Sequence, residues 1–170
     1  MKTKRLIHHV ILIFILIVSI SCKERKQVAV EKPNTEPLNE ITQEEIDQIT
    51  DKWLDLWATY DLDDLEDIFL QSKDLTYFSS ETQGLIKGYA AIKPHHEAFG
   101  FIEGGKKPEK SLWLENLESR IHDGSAVLTA IWYFGDKTAP KDSVQNGPVT
   151  FVMTYGDGGL KIAHVHFANY

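Results

Sequence analysis

The sequence predicts an α+β domain in which three helices come first and an antiparallel sheet follows. Between residues 42 and 69 apolar side chains recur every three or four positions, the period of one helix face. From residue 112 onward the apolar runs shorten to strand length and are separated by Asp-Gly and glycine-rich turns. Helices grouped ahead of strands, rather than alternating with them, are the order of an α+β fold.

Each element has its own local grounds. Ile46, Ile49, Trp53, Leu56, Trp57 and Tyr60 share one helical face, and Thr42 with Glu45 forms a capping box that starts this helix near residue 42. Asp61 is placed to cap a second, shorter helix whose stripe is Leu62, Leu65, Ile68 and Phe69. Leu75, Tyr77 and Phe78 suggest a short strand. A third helical piece begins around Tyr89 and carries Ala90, Ala91, Ile92, Ala98 and Phe99; Pro94 kinks it or delays its start, because proline has no amide hydrogen to donate. Residues 112–121 then form a strand, and Asp123-Gly124 supplies a two-residue hairpin turn. The run AVLTAIWYF at 126–134 is apolar on both faces and is therefore central. A polar loop from Gly135 to Gly147 leads to a strand over Val149–Tyr155, and the turn Gly156-Asp157-Gly158-Gly159 leads to the last strand, Leu160–Phe167.

The chain ahead of this domain reads as an export signal and a tether. Lys2, Lys4 and Arg5 precede an apolar run from Val10 to Ile20 that is interrupted only by Ser19. As a helix the run rises about 16 Å, well short of a hydrocarbon core of about 30 Å, so it fits the apolar core of a signal peptide better than a membrane span. Ser19-Ile20-Ser21-Cys22 resembles the lipobox of bacterial lipoproteins, although Ser19 stands where leucine is commonest. Residues 1–21 are expected to be removed and Cys22, the single cysteine, to be acylated with chains such as palmitate. Residues 22–41 would then be the lipidated cysteine and a flexible tether, and 42–170 the domain. The expected location is the cell envelope, lipid-anchored, on the outer membrane.

Charge narrows the partners. Removal of residues 1–21 takes three positive charges and no acids, so the formal net charge of −7 becomes −10. An acidic domain repels phosphate backbones, and no nucleic-acid partner is expected. With one cysteine, no intramolecular disulfide is possible.

The order of elements over roughly residues 42–168 resembles the nuclear transport factor 2-like superfamily, and within it the SnoaL-like proteins. Asp74-Leu75-Thr76-Tyr77-Phe78 is similar to the family's first strand, and Gly88 followed by Ile92 to its glycine and third helix. Asp123-Gly124-Ser125-Ala126 is similar to the turn before its long central strand. Gly159-Leu160-Lys161-Ile162-Ala163-His164-Val165-His166 is similar to its closing segment, with Leu160 in place of the usual tryptophan and Ala168 in place of serine. Pro148-Val149-Thr150 lacks the arginine that many relatives carry there. The resemblance implies helices closing a curved antiparallel sheet into a cone, a pocket at the open end, and, in the enzymes, acid–base chemistry without metal or organic cofactor.

Within that cone the candidate ligand contacts are Trp57, Tyr60, Tyr77, Trp113, Glu115, His164 and His166. His164 and His166 lie two apart on a strand and so share a face with Leu160 and Ile162, which predicts that both imidazoles point inward. An imidazole near neutrality accepts or donates a proton, as an enolisation or dehydration requires. Glu115 shares a face with Trp113, Leu117 and Ile121 and is the strand acid expected to point inward, with a sheet-edge ion pair as the plainer alternative. The aromatics are equally suited to a core. Two histidines supply only half of a zinc site, and neither His122 nor His95-His96 has a ligand spacing relative to them, so no metal is expected. Val127, Thr129, Ile131 and Tyr133, with Lys161, Ala163, Val165 and Phe167, are expected along the sheet's outer face, where they predict a homodimer. Three readings follow: a lipid-anchored binder of a small apolar or amphipathic molecule, an assembly module of the envelope, or a cofactor-free isomerase or lyase.

Overall fold

The computed structural model describes residues 40–170. Residues 1–39, with the expected signal peptide, Cys22 and nearly all of the expected tether, lie outside the described residues. The first helix, α1 (Gln43–Thr59), begins at the predicted cap: the Thr42 side chain accepts from the Glu45 amide while the Glu45 carboxylate accepts from the Thr42 amide. Ile41, just before the cap, is buried beside the same core as Ile46, so packed structure starts slightly ahead of residue 42. The helix ends at Tyr60, in the left-handed conformation (φ 53°), whose amide donates to the Leu56 carbonyl. Asp61 then caps a 3-10 turn (Leu62–Asp64) that runs into α2 (Leu65–Ile68). After β1 (Thr76–Phe78) and β2 (Ile86–Lys87), a 3-10 turn (Tyr89–Ala91) precedes α3 (Ile92–Ala98). Pro94 falls in the first turn of α3, where its missing amide hydrogen costs nothing.

The remaining strands are β3 (Ser111–His122), β4 (Ser125–Gly135), β5 (Gln145–Gly156) and β6 (Gly159–Phe167). The sheet order is β2-β1-β6-β5-β4-β3. The four long strands form the predicted meander, with β4 and β5 internal. The expectation of a purely antiparallel sheet is corrected: β1 pairs in parallel with β6, placing Thr76 beside His164 and Phe78 beside His166, so the sheet is mixed. β5 also begins four residues before the expected Val149.

Two bulges bend the sheet and invert side-chain parity along the strands that carry them. In β3 the register slips between Glu115 and Glu118, where Asn116 has a positive φ of 56°. In β6 the partner of Val152 is His164 while that of Met153 is Ile162, which leaves Ala163 unpaired. Against the inner face lies α1. Trp53 and Leu56 are fully buried, and Trp53 meets Phe151 edge-on at 4.9 Å and Phe167 at 5.9 Å.

Two polar side chains buried at the helix–sheet seam are satisfied by backbone. Thr50 donates to the Ile46 carbonyl of its own helix. Lys161 reaches across from β6 and donates to the carbonyls of Glu66 (3.1 Å) and Asp67 (2.8 Å), tying the short α2 to the sheet.

Candidate functional site

Over the inner face of the sheet is a cleft walled by Trp57 of α1, Tyr77 of β1, Phe99 after α3, Trp132 and Phe134 of β4, and Phe167 of β6. Leu112 completes the apolar lining, and Ser79, Ser80, Glu81 and Gln145 contribute its polar groups. The cleft holds about 340 Å³ of free space, most of it at its open mouth, and narrows inward. The inner space is enough for one water. Anything larger must use the mouth or displace side chains.

The polar rim comes from the loop after β1. The Gln145 side-chain amide donates to Glu81 Oε1 (3.2 Å), and the Asn169 amide donates to the Ser80 carbonyl (3.2 Å). Both bonds fasten this loop across the mouth to β5 and the C-terminal segment. That segment runs against β4 and β5: Trp132 Nε1 donates to the Ala168 carbonyl at 2.9 Å, and a Cβ on Gly147 would sit 2.0 Å from the same oxygen. Glycine at 147 is thus required by close backbone approach. Among the described residues no cation pairs with the Glu81 carboxylate.

Beneath the cleft lies an aromatic cluster around His96 of α3. Its ring is 5.0 Å from Phe101, 5.7 Å from Phe69, 6.1 Å from Tyr77 and 6.4 Å from Trp57. Nδ1 donates to the Ile92 carbonyl (2.9 Å), since a carbonyl can only accept; Nε2, the distal nitrogen, therefore carries a lone pair and has no partner. Burial pushes the His96 pKa down to about 4, and the ring is neutral at pH 7. Trp57 Nε1 and Trp53 Nε1 are likewise buried without partners. Burial raises the pKa of the Tyr77 hydroxyl.

Of the residues nominated from the sequence, Trp57 and Tyr77 line the cleft. Tyr60 is buried beside them, stacked on Phe101 at 4.1 Å and nearly parallel, and contacts Trp57 edge-on, but it does not reach the cleft. The other four lie on the outer face. The inward placement of His164 and His166 is overturned by the bulge at Ala163. Past it, Val165 and Phe167 turn into the core, while His164 is half-buried and His166 exposed on the opposite side. There His164 Nδ1 is hydrogen-bonded with Thr76 Oγ1 (2.7 Å), and Phe78 packs near both imidazoles. Burial, then the neighbouring His166, lowers the His164 pKa. The same bulge corrects the expected outer face, from which Val165 and Phe167 are withdrawn.

Trp113 and Glu115 do share a face, but the bulge at Asn116 separates it from that of Leu117 and Ile121. Trp113 stacks on Tyr133 on the outer side (5.3 Å, 12°). Glu115 accepts from Trp113 Nε1 (3.3 Å) and from Lys141 (2.5 Å), and the Lys141 bond lowers its pKa. It is the sheet-edge ion pair, not an inward acid. Sequence reasoning missed the rim residues Ser79, Ser80, Glu81 and Gln145, which sit in or beside loops and carry no periodicity. It could have found Trp132, which shares the parity of Ala126, Leu128 and Ala130 along β4, all buried.

No family profile matches the chain. No curated protein matches it either. Solved structures do. An NTF2-like protein from Pseudomonas putida KT2440 superposes with a TM-score of 0.61 at 17% identity, covering 74% of this chain and 84% of that one. The fold is nuclear transport factor 2-like. A superfamily protein from Salmonella enterica serovar Typhimurium LT2 gives 0.59 at 18% identity, over 74% and 89% of the two chains. The CaMKII hub of S. rosetta gives 0.58 at 19%, over 75% and 95%. At these identities the likeness speaks for the fold of this nuclear transport factor 2-like domain and not for its activity.

Proposed function

We propose that this is a SnoaL-like, lipid-anchored binding domain that holds a small amphipathic molecule in the cleft over the inner face of its sheet. The observation that carries this reading is the segregation of the cleft: aromatic walls deep in the cone, polar side chains at the rim. Apolar body in, polar group out, is the arrangement that small-molecule sites use. The anchor rests on the lipobox-like Ser19–Cys22 and the apolar run before it, which support a place in the cell envelope and, in this reading, on the outer membrane. No helix among the described residues is long and apolar enough to cross a membrane.

Binding is favoured over an isomerase or lyase by where the proton carriers sit. The histidines nominated for that chemistry are on the outer face, and the titratable groups of the cleft lining are Tyr77, with its raised pKa, and Glu81 at the rim. Native mass spectrometry of the full chain released from membranes tests binding directly: a co-purifying mass of a few hundred daltons or less is expected, and a bare chain from several growth conditions would refute it. Cys22→Ala is expected to abolish acylation and leave an uncleaved precursor; mature-size lipidated protein from that variant would refute the anchor.

A second reading is supported by the outer face of the sheet. Val127, Ile131, Tyr133, Val152 and Trp113 lie there half-buried, flanked by Phe78, which is 38% exposed. The acids of α1 and α2 are on the helical side, so a like-charged second copy meets least repulsion at the sheet. Self-association through this face is compatible with binding in the cleft, and the association domain of C. elegans CaMKII shares the fold.

A further inference from the structure

The cleft combines an aromatic wall with a single ionised lining residue, and that residue is acidic. Trp57, Tyr77, Phe99, Trp132 and Phe134 line it, Phe99 and Phe134 with the more accessible rings, and Glu81 is the charged group among the lining side chains. Aromatic faces carry negative electrostatic potential and attract cations, most strongly where water is excluded. A carboxylate at the rim adds to that attraction. The protein supplies its own example on one ring of that wall: the Lys110 ammonium, on an exposed side chain, lies 5.6 Å from the centre of the Phe134 ring. Lys110 makes no ion pair among the described residues, so the aromatic face, not a carboxylate, is its polar contact. The chain's formal net charge of −7, which becomes −10 without residues 1–21, raises the local concentration of cations around it.

We infer that the cleft's ligand is a small organic cation, a quaternary or primary ammonium on a short apolar body, which takes the place of the Lys110 ammonium against the aromatic wall. This rests on the binding reading above and names its ligand class. Glu81 faces the cation at the rim with the carboxylate oxygen not engaged by Gln145. An anionic ligand would meet Glu81 with like charge, and a neutral alcohol could donate one hydrogen bond to the carboxylate but would gain no charge attraction from it or from the rings.

The test compares isosteres that differ in charge. Tryptophan fluorescence of the full chain in dodecyl maltoside is titrated with choline, with neutral 3,3-dimethyl-1-butanol, and with anionic 3,3-dimethylbutanoate. Trp57 and Trp132 line the cleft and report occupancy. Choline is expected to saturate at least about tenfold more tightly than the neutral alcohol, a difference of about 1.4 kcal/mol, within the range for a partly desolvated cation on aromatic rings. Glu81→Gln, at an exposed position, should weaken choline about 3–10-fold, and Lys110→Gln should strengthen it by removing the tethered competitor. The opposite signs of these two variants separate cation recognition from mere apolar contact. Equal or tighter binding of the alcohol or the carboxylate overturns the cation inference while leaving the pocket; saturation by none of the three overturns the pocket as well.

Discussion

His96 offers the most direct measure of how tightly this fold seals its interior. The imidazole is 1% exposed, ringed by Phe69, Tyr77, Phe101 and Trp57, and its pKa is pushed down to about 4 from an ordinary value near 6.5. In the unfolded chain the ring protonates as pH falls through 6.5, whereas in the folded chain it resists until about 4. Between those values the unfolded state binds more protons, so stability falls as pH falls, and the contribution is fully present only above pH 6.5. A displacement of about 2.5 pH units corresponds to about 3 kcal/mol lost across that window. His96→Leu keeps a side chain of similar bulk and removes the titration. Urea unfolding from pH 7 to pH 4 should therefore show the stability of the wild type falling about 3 kcal/mol further than that of the variant. The C2–H resonance of His96 in the folded protein should not titrate between pH 5 and 8. Parallel stability curves, or a midpoint near 6.5 for that resonance, would refute the sealed neutral histidine and the packing drawn around it.

Other perturbations probe the core, the C-terminal segment and the outer face. Trp53→Ala removes the most deeply inserted side chain of α1, in edge contact with Phe151, and should cost about 3–5 kcal/mol in chemical denaturation; a loss under about 1 kcal/mol would mean that α1 does not cover the sheet. Gly147→Ala drives a methyl into the Ala168 carbonyl and forces apart the bond from Trp132 Nε1, for about 2–4 kcal/mol of overpacking and lost hydrogen bonding. Unchanged thermal stability in that variant would show that residues 168–170 do not pack as described. Ile131→Asp puts a charge at the middle of the outer face and should shift the full chain in detergent from dimer to monomer in sedimentation velocity. A wild type that is already monomeric would refute self-association there.

The sequence by itself determined the elements whose grounds are local. The Thr42–Glu45 cap, the apolar stripe from Ile46 to Trp57, the Asp61 cap, the Asp123-Gly124 turn and, apart from the early start of β5, the four long strands appear where periodicity and turn chemistry place them. These depend on contacts within a few residues, which a linear pattern records. What tertiary structure decided was parity and proximity. One unpaired residue, Ala163, turns His164 and His166 away from the cone, and one left-handed residue, Asn116, divides Glu115 from Leu117 and Ile121. A bulge arises from strand partners and sheet curvature, so alternation of two, the rule that failed at both sites, carries no trace of it. The cleft has the same origin: Trp57, Tyr77, Phe134 and Glu81 come from a helix, two strands and a loop, and only the folding of the sheet around α1 brings them to one mouth.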